Sequence, residues 1–433
     1  MDHSRAPVLE ALAAFQERRD VVYGPPGHKQ GRGADPRLVE LTGEGVFASD
    51  ALSLNGRDDR RESQGVVSQA EDLMADAVGT RKAFFSTCGS SLSVKAAVIS
   101  VAGPGEKLLI SPTDWGTCAD IAGTAEVCHA FGVPLIVDEA WGAHLPFHPD
   151  LPSWGTDAGA DVVVTSVHKT GGAIEQSSVF HLQGDLVNPD VLKEREDLLG
   201  TTSSSALVHL TLDGWRRQVV EQGRELLGSA LERAARVRSA VDGIDGLDLV
   251  GREVVRPQGA FDLDPLALTI DVRPLGISGY QAGDWLRANC HVDAGSADAC
   301  RIGVRLTHAD DDETERRLVE SLRRLTAESG EIERQPETGL PQPGALEPRT
   351  AMTPRDAFFA RAERVPIQGA VGRVVAELFS PYPPGVPVLA PGEVVDQQVV
   401  DYLTTGAAAG MLVPDAADPV DEGAARGRRV SAR

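Results

Sequence analysis

Two short apolar runs constrain this chain more than any other feature, because each ends on residues that carry chemistry. The run at 133–137 delivers Asp138, within Val137-Asp138-Glu139-Ala140-Trp141-Gly142-Ala143-His144. The run at 162–164 leads into Ser166-Val167-His168-Lys169. Continuous apolar stretches of this length are the pattern of strands covered on both faces, as in parallel sheets. Ligands of open α/β sheets collect beyond the carboxyl ends of their strands, so the two motifs mark a site as well as a fold.

An amine that can hold an aldehyde as a Schiff base, with an anion that keeps a pyridine nitrogen protonated, is the pair that pyridoxal 5'-phosphate (PLP) chemistry requires. Lys169 and Asp138 supply that pair. Taken singly, a Lys after a strand is most often a solvated loop residue and an Asp there a helix cap. The two motifs together outweigh those readings. Ser166 and His168 place hydrogen-bonding side chains beside the amine, and Thr170-Gly171-Gly172 adds flexible backbone, which suits a phosphate. A second phosphate-binding outline lies at Cys88-Gly89-Ser90-Ser91, ahead of a helical pattern through Val101. Such a turn offers backbone N–H groups, two hydroxyls and the positive end of a helix dipole. Ser is also a common N-cap, so the turn alone is weakly specific.

At 433 residues the chain exceeds a usual single core and is expected to form two or three domains. A net charge of −22 disfavours nucleic acid and anionic membranes as partners. It is compatible with a cationic substrate, although solubility is the more ordinary reason for it. No apolar run reaches membrane-spanning length and the first residues lack a signal-peptide pattern, so the cytoplasm is the expected location. The five cysteines are scattered and odd in number, against a disulfide framework or a metal site.

The expected organisation is a PLP-binding large domain with its N-terminal segment at 1–225, a small α+β domain at 226–328, a linker at 329–348, a C-terminal domain at 349–417 and a disordered tail at 418–433. Helices are expected over 7–19, 66–79, 206–241, 279–289, 313–327, 354–363 and 367–379, and small-domain strands over 266–272 and 302–306. The loop Tyr23-Gly24-Pro25-Pro26-Gly27-His28-Lys29-Gln30-Gly31 is too rich in Pro and Gly for regular structure.

These motifs, with Thr201-Thr202-Ser203 and the closing Pro381-Tyr382-Pro383-Pro384-Gly385-Val386-Pro387, make the chain resemble the bacterial ornithine/lysine/arginine decarboxylases nearly end to end. The resemblance implies an α/β, aspartate-aminotransferase-type (fold type I) large domain with a mixed, mostly parallel sheet, a small α+β domain and the family's C-terminal domain. It implies PLP as cofactor, Lys169 as the Schiff-base lysine and Asp138 as the partner of the pyridine nitrogen, with Ala140 packed on the ring. Gly89, Ser90, Ser91, Ser166 and His168 would hold the phosphate. Thr202 would reach the cofactor of a neighbouring subunit in a homodimer or higher homo-oligomer.

One departure from the family is large. There, the strand after the phosphate turn is followed by a loop whose His stacks on the PLP ring, then by a further strand and helix. Here Glu106-Lys107-Leu108-Leu109-Ile110 runs straight into Ser111-Pro112-Thr113-Asp114-Trp115-Gly116. Several tens of residues are missing after Ile110, and the stacking His has no counterpart. A βα crossover spans roughly 30 residues, so its loss takes paired strands out of a sheet.

Decarboxylation of lysine, arginine or ornithine is the leading reading. An aminotransferase or lyase of the same fold, or a catalytically impaired homologue, are the alternatives. Arg301 and Arg305 flank a small-domain strand and could bind an α-carboxylate, although Arg is commonly a surface residue. Glu139 and Glu377 are candidates for selecting a cationic side chain, against ordinary salt-bridge roles.

Overall fold

The computed structural model describes residues 1–19, 21–51, 65–103, 116–257, 259–335, 338–339, 348–381, 387–413 and 429–432. The junction after Ile110, the segment 111–115 and the centre of the Pro-rich turn at 382–386 lie outside the described residues. Along the first half of the chain run α1 (Pro7–Arg18), the short α2 (Pro36–Thr42) and α3 (Glu44–Ser49), α4 (Val66–Ala77), β1 (Lys82–Ser86) and α5 (Ser90–Val101). Then come β2 (Thr117–Cys118), α6 (Ile121–Ala130), β3 (Ile136–Asp138), β4 (Val162–Ser166), α7 (Val167–Thr170), β5 (Ser178–Leu182), α8 (Pro189–Leu199) and the long α9 (Ala206–Asp242).

The first sheet has the order β1-β5-β4-β3. The two motif strands, β3 and β4, pair in parallel, while β5 runs antiparallel to both β4 and β1. The sheet is therefore mixed, with one parallel ladder among the described residues. Every residue of β4 and β5 is buried, the polar Thr165, Ser166, Ser178 and His181 included, as befits a central pair covered on both faces. On one face Val162, Val164, Phe180 and Leu182 pack with Ala96 and Ala97 of α5 and Leu192 of α8. On the other, Val167 and Val179 join Val8, Leu12 and Phe15 of α1, Met74 of α4, and Leu212 and Trp215 of α9. The apolar spacing of α1 is thus its α9- and α4-facing stripe. Its start is anchored by a buried pair on α9: Asp213 Oδ2 accepts from the Val8 N–H at 2.9 Å, and Arg216, 2.7 Å from Asp213, donates to the His3 carbonyl.

A second sheet follows from β6 (Asp248–Leu249), β7 (Asp262–Leu263), β8 (Ala267–Asp271), α10 (Gly279–Cys290), β9 (Ser296–Ala297), β10 (Arg301–Arg305) and α11 (Asp312–Glu328). Its order is β6-β8-β10-β9, and Leu268, Ile270 and Ile302 share a core with Leu286 of α10, Leu322 of α11 and Val237 of α9. β7 pairs instead with β2, so the chain just past the junction is stitched to this part of the molecule.

The C-terminal part corrects two expectations. The helix expected over 354–363 stops early, as α12 (Pro354–Phe358), and the chain goes on as β11 (Glu363–Pro366). The helix expected over 367–379 is absent. After one short turn at Ile367–Gly369 the chain is extended, with bridges Val374↔Val394 and Phe379↔Leu389. Gly369 and Gly372 interrupt the helical pattern, Gly372 at a φ of 80°, and the β-branched Val374 and Val375 favour extended backbone. Val375 and Phe379 are buried with Val399 and Leu403 of α13 (Gln397–Ala408). The tail expected to be disordered from residue 418 is described only at β12 (Arg429–Ala432), where it forms an antiparallel ladder with β11. Its alternating Arg-Val-Ser-Ala pattern suits such an edge. No described helix is long and apolar enough to cross a membrane.

Candidate active site

The parallel register sets Asp138 opposite Val164. β4 then runs two residues further, to Ser166, and turns directly into α7, whose single turn carries His168 and Lys169. Gly171 and Gly172 allow that turn to lie against α9. A Cβ on Gly171 would stand 2.8 Å from the Trp215 indole and 2.7 Å from the Val167 carbonyl, so close packing, rather than backbone freedom, explains this glycine.

The Gly-Ser-Ser turn meets the same strand end. The Ser166 hydroxyl donates to the Ser90 Oγ at 2.6 Å. Gly89, at a φ of 79°, caps α5 without any side-chain hydrogen bond to the helix. A Cβ built there would meet nothing within 4 Å, so open space lies over that helix start. First-turn N–H groups facing open space beside two hydroxyls can hold an anion. Gly89 itself donates to the Gln176 carbonyl at 3.0 Å, and His168 Nδ1 lies 3.1 Å from the Ser177 carbonyl. A carbonyl only accepts, so Nδ1 carries a proton and the imidazole is held against the 176–177 turn.

Asp138 lies within electrostatic reach of Lys169. Asp138 is exposed at the sheet edge, yet the protein beside its carboxyl raises its pKa, against the Ala140 N–H donated to Oδ1 at 3.1 Å and the Lys169 charge, which both favour the anion. A bound pyridinium would strengthen the anionic form further, the sense a ring-nitrogen partner needs. Lys169 Nζ sits 4.8 Å from the centroid of the Trp141 indole, and the Arg305 guanidinium sits 5.0 Å from the same centroid. Arg305 in turn reaches Asp264 at 3.2 Å. The structure thus brings β10 of the second sheet to the strand-end motif of the first. An amine, an anion at strand-end distance, a phosphate-sized cradle and an arginine are the elements a PLP site for an amino acid needs, and the residues present fit that group.

Other expectations fall differently. Ser91 and Thr202 are exposed, and the Thr202 loop is held by the Ser203 N–H donated to Thr201 Oγ1. Ala140 is half-buried, and its carbonyl accepts from the Ser166 N–H at 3.3 Å, tying the two motifs together. Arg301 is at the opposite end of β10 from Arg305 and pairs with Asp298 at 3.1 Å, so the carboxylate-binding expectation falls to Arg305 alone. Glu139 turns inward: its side chain lies against Gly155 and accepts from the Gly155 N–H at 3.4 Å, and burial pushes its pKa up to about 8. An inward, largely neutral acid cannot select a cation beyond the strand end. Glu377 is half-buried in the C-terminal part. His28 is held in its own loop, accepting from the Gly31 N–H at Nδ1 and facing Asp50 at 3.1 Å through Nε2. Two neighbours of the site carry little signal in the sequence. Trp141 stands inside the strand-end motif with only its bulk to mark it, and Asp264 belongs to no motif at all.

A sequence model described as Orn/Lys/Arg decarboxylase, major domain, matches residues 6–112 and 108–269, and one described as the C-terminal domain of the same family matches 342–420. The major-domain match is broken at 108–112, where the junction after Ile110 lies. The chain is 32% identical to an arginine decarboxylase of Bacillus subtilis over 473 aligned positions, covering 95% of this chain and 96% of the relative. Since 95% of 433 residues is about 411, roughly sixty aligned positions of that relative face gaps in this chain. An arginine decarboxylase of Halalkalibacterium halodurans is likewise 32% identical, over 94% of this chain and 95% of the relative. Among solved structures, the constitutive lysine decarboxylase of Escherichia coli has a TM-score of 0.76 at 19% identity, covering 99% of this chain and 82% of that one. At that identity the likeness speaks for the fold alone.

Proposed function

The chain belongs to the Orn/Lys/Arg decarboxylase family, and from that premise we propose that it removes the α-carboxylate of a basic amino acid, arginine first among them, using PLP held at Lys169. The observation that carries the reading is the convergence of Lys169, Asp138 and the Ser90–Ser166 cradle at the ends of two adjacent parallel strands. Bound PLP would supply an electron sink for the pair left behind as CO₂ departs.

The chain's own residues have the following parts in this reading. Lys169 would hold the cofactor through its amine and, once released, is placed to hand a proton to the substrate's Cα. Asp138 would keep a proton on the pyridine nitrogen, and Ala140 would border the ring. The hydroxyls of Ser90 and Ser166, the N–H groups of Ser90 and Ser91, and His168 would take the phosphate, with Gly89 leaving the space above the helix start open. Trp141 sets its indole against the amine and favours its cationic form. Arg305 pairs with the α-carboxylate and sets which bond to Cα stands in the breaking orientation, the choice that separates decarboxylation from transamination. Thr202 completes the site of a second copy in a homodimer, and a cytoplasmic setting with polyamine-type products goes with the same reading. The similarity to arginine decarboxylases supports arginine over lysine and ornithine. The comparisons lend no support to a catalytically impaired homologue.

The test is CO₂ release from arginine, lysine and ornithine by PLP-saturated protein. Release from at least one of them, strongest with arginine and lost in Lys169→Ala, is expected. No release from any of the three would overturn the proposal.

A further inference from the structure

Behind Arg305 lies a buried group that the proposed chemistry does not use. Asp264, next to β7, is 5% exposed, and His144, at the end of the Asp138 motif, is 2% exposed. His144 Nε2 lies 3.3 Å from Asp264 Oδ2, the same carboxylate oxygen that Arg305 reaches at 3.2 Å. Burial works to raise the Asp264 carboxyl, but His144, Arg305 and the Leu266 N–H at 3.0 Å outweigh it and hold it below the usual range. The carboxylate is therefore an anion clamped between an imidazole of the first sheet's motif and a guanidinium of the second sheet.

Both ring nitrogens of His144 are buried without a protein hydrogen bond, Nε2 meeting Asp264 only as a close contact, and the Oγ1 of Thr170, the residue after Lys169, is likewise without a partner. Both residues line one small cavity, with Gln218 and His308 as further polar lining. Its volume open to a water's centre is about 10 Å³, room for a single water. Two buried orphan polar atoms on one water-sized cavity are the conditions under which a structural water binds, since leaving both unpaired is costly.

We infer that His144 is a positioning residue that packs against Asp264 through Nε2 and is linked, through one buried water at Nδ1, to Thr170. It thereby fixes the strand that carries Arg305 to the turn that carries Lys169. With Nε2 turned toward the carboxylate, Nδ1 is left to the cavity, where the water donates to it and accepts from the Thr170 hydroxyl. Arg305 and Lys169, which both lie against Trp141, are then held at a fixed separation. The link to substrate rests on the decarboxylase reading, whereas the link between His144 and Thr170 does not.

The test uses Thr170→Val, His144→Leu, His144→Gln, Asp264→Asn and the Thr170→Val/His144→Leu double variant, all in the full chain with PLP. In unfolding equilibria, Thr170→Val is expected to cost about fivefold in the wild-type background and nothing further in His144→Leu, because the bridge is already gone. His144→Gln, which keeps an acceptor and a donor, recovers part of the loss. With amino acid substrate, His144→Leu and Asp264→Asn are expected to raise KM about fivefold or more, while inhibition by the product amine, which has no carboxylate, stays unchanged. Additive stability losses for Thr170 and His144 would overturn the water bridge. Coupled stability with unchanged KM, or with equal weakening of amine and amino acid, would overturn the positioning role. If no amino acid is turned over, the decarboxylase reading fails on its own, and the stability cycle still decides the bridge.

Discussion

Glu139 sits in surroundings that favour its protonated form, and this has a measurable sign. Its pKa rises from 4.5 to about 8 because burial penalises the charge more than the Gly155 N–H relieves it. A carboxyl whose folded-state pKa is raised adds stability below the unfolded value and loses it as pH rises toward the folded one. Glu139→Gln is therefore expected to match wild type near pH 4.5 and to become the more stable protein by pH 8. The gain grows by about 1.4 kcal/mol for each pH unit between those two values and comes to a few kcal/mol. Parallel pH curves for the two proteins in chemical denaturation would contradict it. Asp138, one residue earlier, faces the other way, as strand alternation requires. The sequence shows two adjacent acids and no more. The side each takes follows from the register of β3 on β4, which a single sequence does not display. Arg301 and Arg305 pose the same problem, being equivalent on paper and separated only by which end of β10 meets Trp141. Arg305→Gln is expected to raise KM for the amino acid at least tenfold, for a charged hydrogen bond worth about 1.5–3 kcal/mol, with Arg301→Gln close to wild type in the same assay.

At the scale of elements, the turn α7 depends on its neighbours for its position. One helical turn has no stability of its own. It is held by Val167 in the core, by the Gly171 N–H donated to the Val167 carbonyl at 2.8 Å, and by Trp215 pressed against Gly171. Gly171→Ala is expected to destabilise the protein by about 1–3 kcal/mol, the usual cost of overpacking, and to lower the affinity for PLP because Lys169 shifts with the turn. An unchanged melting temperature and unchanged PLP affinity would show that α9 does not set this turn. Elements whose local pattern and burial agree are legible in the sequence: α1, α4, α5, α9, α10 and α11 lie within a few residues of their apolar periodicity. The 367–379 segment misleads for the converse reason. Its apolar spacing imitates a helix, while Gly369, Gly372 and the bridge to Val394 hold it extended. Cross-chain pairing of this kind leaves no local mark.

At the scale of the molecule, the strand that carries Asp138 has little lateral support among the described residues. β3, the strand carrying Asp138, is the edge of the first sheet among the described residues and is three residues long. Nearby Val127, Phe131 and Val133 are at least half exposed. Asp138 is therefore supported by β4 on one side and by the 139–144 turn, while β2 past the junction is tied to the second sheet through β7. The motifs make the site visible from sequence because reactive residues gather at strand ends. The Asp264–His144 connection is invisible there, since it joins distant stretches of chain. The proposed function stands on the shortened sheet still building a cofactor site on Lys169 and Asp138. That is decided by the near-UV and visible absorption spectrum of the protein titrated with PLP, for wild type, Lys169→Ala and Asp138→Ala. A saturable band absent from Lys169→Ala and shifted or weakened in Asp138→Ala is expected, with a rise in wild-type melting temperature on loading. Spectra that are the same with and without Lys169, and equal to free PLP, would contradict it.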